Sequence, residues 1–155
     1  MSAQEEIERK KQLYLQRVNQ LYDHIQDWLK DEKLILVPTE FDIVDALGTY
    51  KGTSLSIKRQ SRKTLAEFRP KGTSVALTEG VINIEGWLGG EYLAYMVDGG
   101  PSLLKLNVET NEYLKESYYR AIKVDGWYWM EGTQQNNAHL MNKALLLKLI
   151  YHVSW

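Results

Sequence analysis

The chain has 155 residues, 44% apolar and 25% charged, with a formal net charge of −1 and no cysteine. That length suits one domain that buries about two-thirds of the surface of its unfolded chain, and the composition argues against disorder. A disulfide framework, a thiolate zinc site and a cysteine nucleophile are all excluded.

Met1–Glu6 has neither a basic nor an apolar region, so no secretory signal is expected. The longest apolar run, Ala144–Leu147, is too short to span a bilayer. A cytoplasmic protein with no membrane partner is the expectation. The small net charge hides one asymmetry: residues 51–75 carry seven basic side chains and one acidic, whereas 1–50 and 76–118 are acidic.

Ser2 and Glu5 make a capping box ahead of a periodic run. Tyr14, Val18, Leu21, Ile25 and Trp28 recur at helical spacing, and Leu15, Tyr22 and Leu29 widen the stripe. The pattern predicts a helix over about 4–30. A short strand over Lys33–Val37 is expected to stop at Pro38. Thr39 to Leu47 is ambiguous: Thr39 and Asp42 at its start and Gly48 just past its end favour a short helix, whereas the alternation of Phe41 and Ile43 favours a strand.

From Thr49 to Met130 the period changes to two. Ser54–Arg59 and Thr64–Arg69 flank a turn and predict a hairpin. Ser74–Thr78, Val81–Trp87, Glu91–Val97 and Leu103–Val108 follow as strands between glycine-rich turns. Asp125-Gly126, set between Ser117–Val124 and Trp127–Met130, reads as a hairpin turn. The last element is an apolar helix over about 136–153. Leu140, Met141, Ala144–Leu147, Leu149, Ile150 and Val153 cover nearly its whole circumference, the pattern of a buried helix. Thr133, Asn136 and Asn137 are its candidate caps.

The predicted fold is therefore α+β, a single domain over 1–155. It has a curved antiparallel meander of about seven short strands, a long N-terminal helix and a buried apolar C-terminal helix. The C-terminal helix is expected in the concave face, with the N-terminal helix over an edge or against a partner.

Three function classes follow. The first is a protein-interaction or adaptor domain that self-associates through Tyr14, Val18, Leu21, Ile25 and Trp28, because that stripe is wider than a monomer needs. The second is a nucleic-acid binder using Lys58, Arg59, Arg62, Lys63, Arg69 and Lys71, cations that a hairpin could turn toward phosphates. The third is a ligand-binding or enzymatic pocket between the sheet and the C-terminal helix, lined by Tyr92, Tyr95, Trp127 and Trp129. His24, His139 and His152 lack metal-ligand spacing, and no catalytic constellation is legible. No metal or cofactor is expected, and no catalytic residue is assigned.

Overall fold

The computed structural model describes residues 2–73, 78–98, 100, 102–117, 122–131 and 138–154. Helix α1 spans Ala3–Leu29, and the Ser2 hydroxyl accepts the Glu5 amide at 3.1 Å, so the capping box operates as the sequence implies. A reversal at 30–33, with Lys33 at φ 55°, leads into the sheet.

Strands β1 (Leu34–Asp45), β2 (Gly48–Arg59), β3 (Thr64–Gly72), β4 (Val81–Glu85) and β5 (Gly90–Met96) pair consecutively and antiparallel. β6 (Ser102–Asn107) and β7 (Glu112–Ser117) form a separate two-stranded sheet. β8 (Gly126–Met130) returns to pair with β5, and β9 (Ala138–Leu140) closes the seven-stranded sheet. Helix α2 spans Lys143–Ser154. The α+β meander holds, with one hairpin set aside from the main sheet.

Several local expectations are corrected. Thr39–Asp45 is strand, because twelve consecutive residue pairs tie β1 to β2 and outweigh the helix-start signal. Gly48, at φ 117°, follows the two-residue turn Ala46–Leu47 and opens β2. β1 runs on through Pro38 because it is an outer strand, where a missing N–H need not cost a ladder bond. Gly126 begins β8 opposite Met96, and residues 122–125 are not strand, so Asp125-Gly126 is no hairpin turn. Asp125 instead accepts the Asp98 amide at 2.7 Å. The expected strand over Ser74–Thr78, much of Ser117–Val124, and the caps Thr133, Asn136 and Asn137 lie outside the described residues. α2 is capped by Asn142, whose side chain accepts the Leu145 amide at 2.9 Å. The three residues before it that matched the helical pattern pair as β9 with Met130, Trp129 and Tyr128.

Both helices lie on the same face of the sheet. Tyr14, Val18, Leu21, Ile25 and Leu29 of α1 join Leu146, Leu149, Ile150 and Val153 of α2. These meet Ile57, Phe68, Ile82, Ile84, Leu93, Trp127 and Trp129 in one apolar cluster. α2 buries one face only, and Lys148, Tyr151 and His152 are exposed. A smaller cluster on the other face gathers Val81, Ala94, Met96, Ile122, Tyr128, Met130 and Ala138, as the strand alternation requires.

The β1–β2 ribbon extends beyond the reach of β3, which pairs only with Leu55–Lys58. A two-stranded ribbon twists more than a wide sheet. Phe41 and Ile43 have opposite alternation to Leu34 and Leu36, yet all four meet the same cluster. The ribbon therefore winds around the N-terminal half of α1. Its tip is fastened by Asp45, which accepts the Leu47 amide at 2.8 Å, the Tyr50 hydroxyl at 2.7 Å and the Thr73 amide at 2.9 Å.

Two tyrosines seat α1. Tyr14 donates to the Val81 carbonyl at 2.6 Å and accepts the Gly72 amide at 3.1 Å. Its ring lies so close to Gly80 that a Cβ there would stand 2.6 Å from it. Tyr22 donates to the Thr53 carbonyl at 2.8 Å.

Burial raises the pKa of Tyr14 and Tyr22 well above the ordinary value of 10.0, and burial followed by the Asp45 carboxylate does the same for Tyr50. All three phenols are harder to ionise folded than unfolded. Their contribution to stability is complete below pH 10.0 and is lost as pH rises above it. Denaturant titrations should show stability falling in that range, by up to about 1.4 kcal/mol per pH unit for each deeply buried tyrosine. Tyr22→Phe should flatten the decline, and a profile unchanged by that substitution would contradict this account. At neutral pH, Tyr14→Phe should cost about 1–3 kcal/mol, because the Gly72 amide and Val81 carbonyl lose their side-chain partner.

Candidate functional site

Among the described residues, three concave regions border α1. The largest, about 620 Å³, lies between α1 and β1. The helix covers Ile43, but it leaves Leu34 and Leu36 half-buried and Pro38 exposed. Tyr22 and Leu29 form the helix side of this groove, with Leu55 as its floor, and Asn19, Asp23, Gln26 and Lys30 also line it. A recess lined by Leu15, Glu40, Lys51 and Gly52 extends it along the ribbon.

The second, about 260 Å³, is an aromatic cleft between the opposite flank of α1 and the ends of β5 and β8. Gln20, Leu21, His24 and Trp28 come from the helix, and Tyr95, Asp125, Gly126, Trp127, Leu140 and Met141 complete it. The Trp127 indole is anchored by donating to the Arg17 carbonyl at 2.9 Å. The third, about 280 Å³, contains Arg9, Lys10 and Arg17 beside Thr73 and Glu79. Its guanidiniums are already engaged: Arg9 pairs with Glu6, and Arg17 lies 4.0 Å from Glu79 and 4.1 Å from the Tyr95 ring centre.

The residues assigned from sequence are redistributed. Tyr14, Val18, Leu21 and Ile25 are almost wholly buried in the chain's own core. The stripe expected to meet a second copy is thus consumed by packing on the sheet, and only Trp28 of the five retains exposed surface. The aromatic quartet is also split. Tyr95 and Trp127 share the cleft beside α1. Tyr92 adjoins Leu93 in the strand and so leaves by the other face. Trp129 is held apart by a hydrogen bond to Glu91 at 3.0 Å, with His139 and Lys148 against its ring. The shared pocket therefore belongs to α1, which the sequence pattern had not placed near these strands, rather than to α2.

The basic segment divides as well. Lys58, Arg59, Arg62 and Lys63 sit at the β2–β3 turn, where Arg62 takes φ 72°. They adjoin the start of β1, since Leu34 pairs with Arg59 and Ile35 with Lys58, and Gln60 donates to the Lys33 carbonyl. Arg69 is bound on β3 by Glu67 at 3.1 Å and Glu85 at 3.2 Å, and Lys71 lies further along the same strand. Both are removed from the turn, which leaves the cluster smaller than six.

His139 pairs with Glu131 at 2.9 Å and His152 with Glu91 at 3.3 Å. Among the described residues no group of three or more His, Asp or Glu could hold a metal ion. No helix among them is long and apolar enough to cross a membrane.

One feature had no sequence signal beyond its flanking glycines. Trp87 and Leu88, 87% and 61% exposed, project from the β4–β5 turn. That turn is fixed by the Gly86 amide on the Gly89 carbonyl and the Leu88 amide on the Val153 carbonyl, each at 2.9 Å.

The cleft's shape depends on the Trp127 anchor. Trp127→Phe removes the bond to the Arg17 carbonyl and part of a buried ring, and should lower unfolding free energy by about 1–2 kcal/mol in denaturant titration. A neutral substitution would show that the bond carries no weight.

Comparison of the chain with protein-family models, with curated proteins and with solved structures finds no match.

Proposed function

We propose that this protein is an interaction domain that holds an apolar segment of a protein partner in the groove between α1 and β1. The observation that carries the reading is the groove itself, where an outer strand and a helix stand apart over an apolar floor. Helix grooves and outer strands are both recurrent peptide-docking surfaces. The backbone edge of β1 is open to a new strand only along Leu34–Val37. Beyond it Pro38, Glu40 and Asp42 oppose strand addition, and Lys51 bridges both carboxylates.

The turn carrying Lys58, Arg59 and Arg62 lies beside that same short stretch. These three make none of the ion pairs formed among the described residues. Charge complementarity therefore favours a partner segment with acidic residues next to its apolar ones. The same turn supports a second reading, in which the cations meet nucleic-acid phosphates.

Selection from a random peptide library on the folded protein should enrich apolar sequences flanked by Asp or Glu. Leu36→Asp should abolish their binding, and Arg59→Glu with Arg62→Glu should weaken it and reduce its salt dependence. Failure to enrich any peptide, or binding indifferent to Leu36→Asp, sinks the groove reading. Salt-sensitive oligonucleotide binding that persists in Leu36→Asp would favour the second reading instead.

A further inference from the structure

The aromatic cleft on the other flank of α1 has a chemistry of its own. The Tyr95 and Trp127 rings meet at 82° with centroids 5.4 Å apart, forming two adjoining walls. Trp28 stands on the helix side, with His24 5.6 Å from it and tilted by 38°. Three residues of the types whose ring faces attract cations therefore converge on one small space.

Among the described residues, the fixed charge lining that space is a single carboxylate, that of Asp125, and none of those lining it is a lysine or arginine. The Asp125 carboxylate is fixed by the Asp98 amide at 2.7 Å, which brings the Asp98 residue alongside. Arg17 lies 4.1 Å from the Tyr95 ring centre but lines the neighbouring cleft, where Glu79 is its partner. Tyr95 thus already engages one cation without that cation entering the aromatic cleft. A volume of about 260 Å³ admits a compact ligand only, at the small end of the pockets that take organic molecules. An anion would meet Asp125 and the negative faces of the rings. A neutral apolar molecule would leave the carboxylate unused.

We propose that this cleft binds a compact organic cation, an alkyl- or arylammonium, with Trp28, Tyr95 and Trp127 around it and Asp125 as its counter-ion. The site is separate from the groove and does not depend on the groove's having a peptide partner.

The probe is benzyltrimethylammonium, titrated into the full-length, isotopically labelled chain and followed by amide and indole N–H resonances. Benzyl alcohol serves as the neutral control and phenylacetate as the anionic one. Saturable shifts should centre on the indoles of Trp28 and Trp127 and the amide of Gly126, with the cation binding about tenfold more tightly than the alcohol. Asp125→Asn should weaken the cation several-fold while its side-chain oxygen still accepts the Asp98 amide. Trp28→Leu should remove binding, and Leu36→Asp should leave it unchanged. Equal binding of all three probes, shifts centred elsewhere, the absence of any shift, or cation affinity indifferent to Asp125→Asn would each overturn the proposal.

Discussion

The hydroxyl of Tyr14 is the point on which the two layers are registered. It lies in the core, donates to β4 through the Val81 carbonyl, and accepts the amide of Gly72 at the end of β3. A buried phenol without partners would cost more than its ring gains, so α1 has few positions along the sheet that satisfy it. Tyr22, two turns further on, adds a bond to β2 at Thr53. Once these are made, Val18, Leu21 and Ile25 fall over the sheet, and no buried side-chain polar atom among the described residues is left without a partner. The close approach of Gly80 to the Tyr14 ring belongs to the same arrangement: a side chain there would lift the helix away from the bonds that hold it.

Much of this fold was legible because its signals are local. The Ser2 cap, the stripe from Tyr14 to Leu29, and the alternation of β2 to β5 all follow from spacing and turn chemistry. The failures share a cause. Thr39–Asp45 carries helix-start residues, but its pairing with β2 is cooperative and tertiary, and propensity is a weak term beside it. Ala138–Leu140 continues the apolar pattern of α2 without a break, and only the available edge of β8 makes it a strand. Asp125-Gly126 has the composition of a hairpin turn, yet the Asp125 carboxylate serves Asp98 instead. In each case a non-local partner decided among conformations that the local sequence allowed.

The candidate sites were legible only in part, for a related reason. Periodicity shows that a helix has an apolar face but not what covers it. The stripe of α1 was therefore compatible with a sheet or with a second copy, and within the chain the sheet covers it. Aromatic richness in β5 and β8 was visible, but alternation sends Tyr92 and Tyr95 to opposite faces, and only the register of β5 with β8 brings Tyr95 against Trp127. The basic run was visible too. The glutamates that hold Arg69 come from its own strand and from β4, and the second of these could not be foreseen without the register.

The position of α1 explains why both proposed sites exist. α1 lies against β2, with Tyr14 reaching β4, and α2 packs on β3, β4 and β5. A straight rod cannot follow a sheet whose outer ribbon winds around its N-terminal half. Contact along Ile43 and Gly52 is thus bought by separation along Leu34–Pro38, which opens the groove. On the other flank, β5 and β8 present the large rings of Tyr95 and Trp127, which hold the α1 backbone at the distance of the Arg17 carbonyl bond. The tyrosine anchors fix α1 from within, so neither opening can be closed by sliding the helix toward it without breaking a buried hydrogen bond. A fold that merely maximised burial would fill one of them. That both stay open, with one apolar beside a basic turn and the other aromatic beside a carboxylate, is the structural reason for assigning them different ligands.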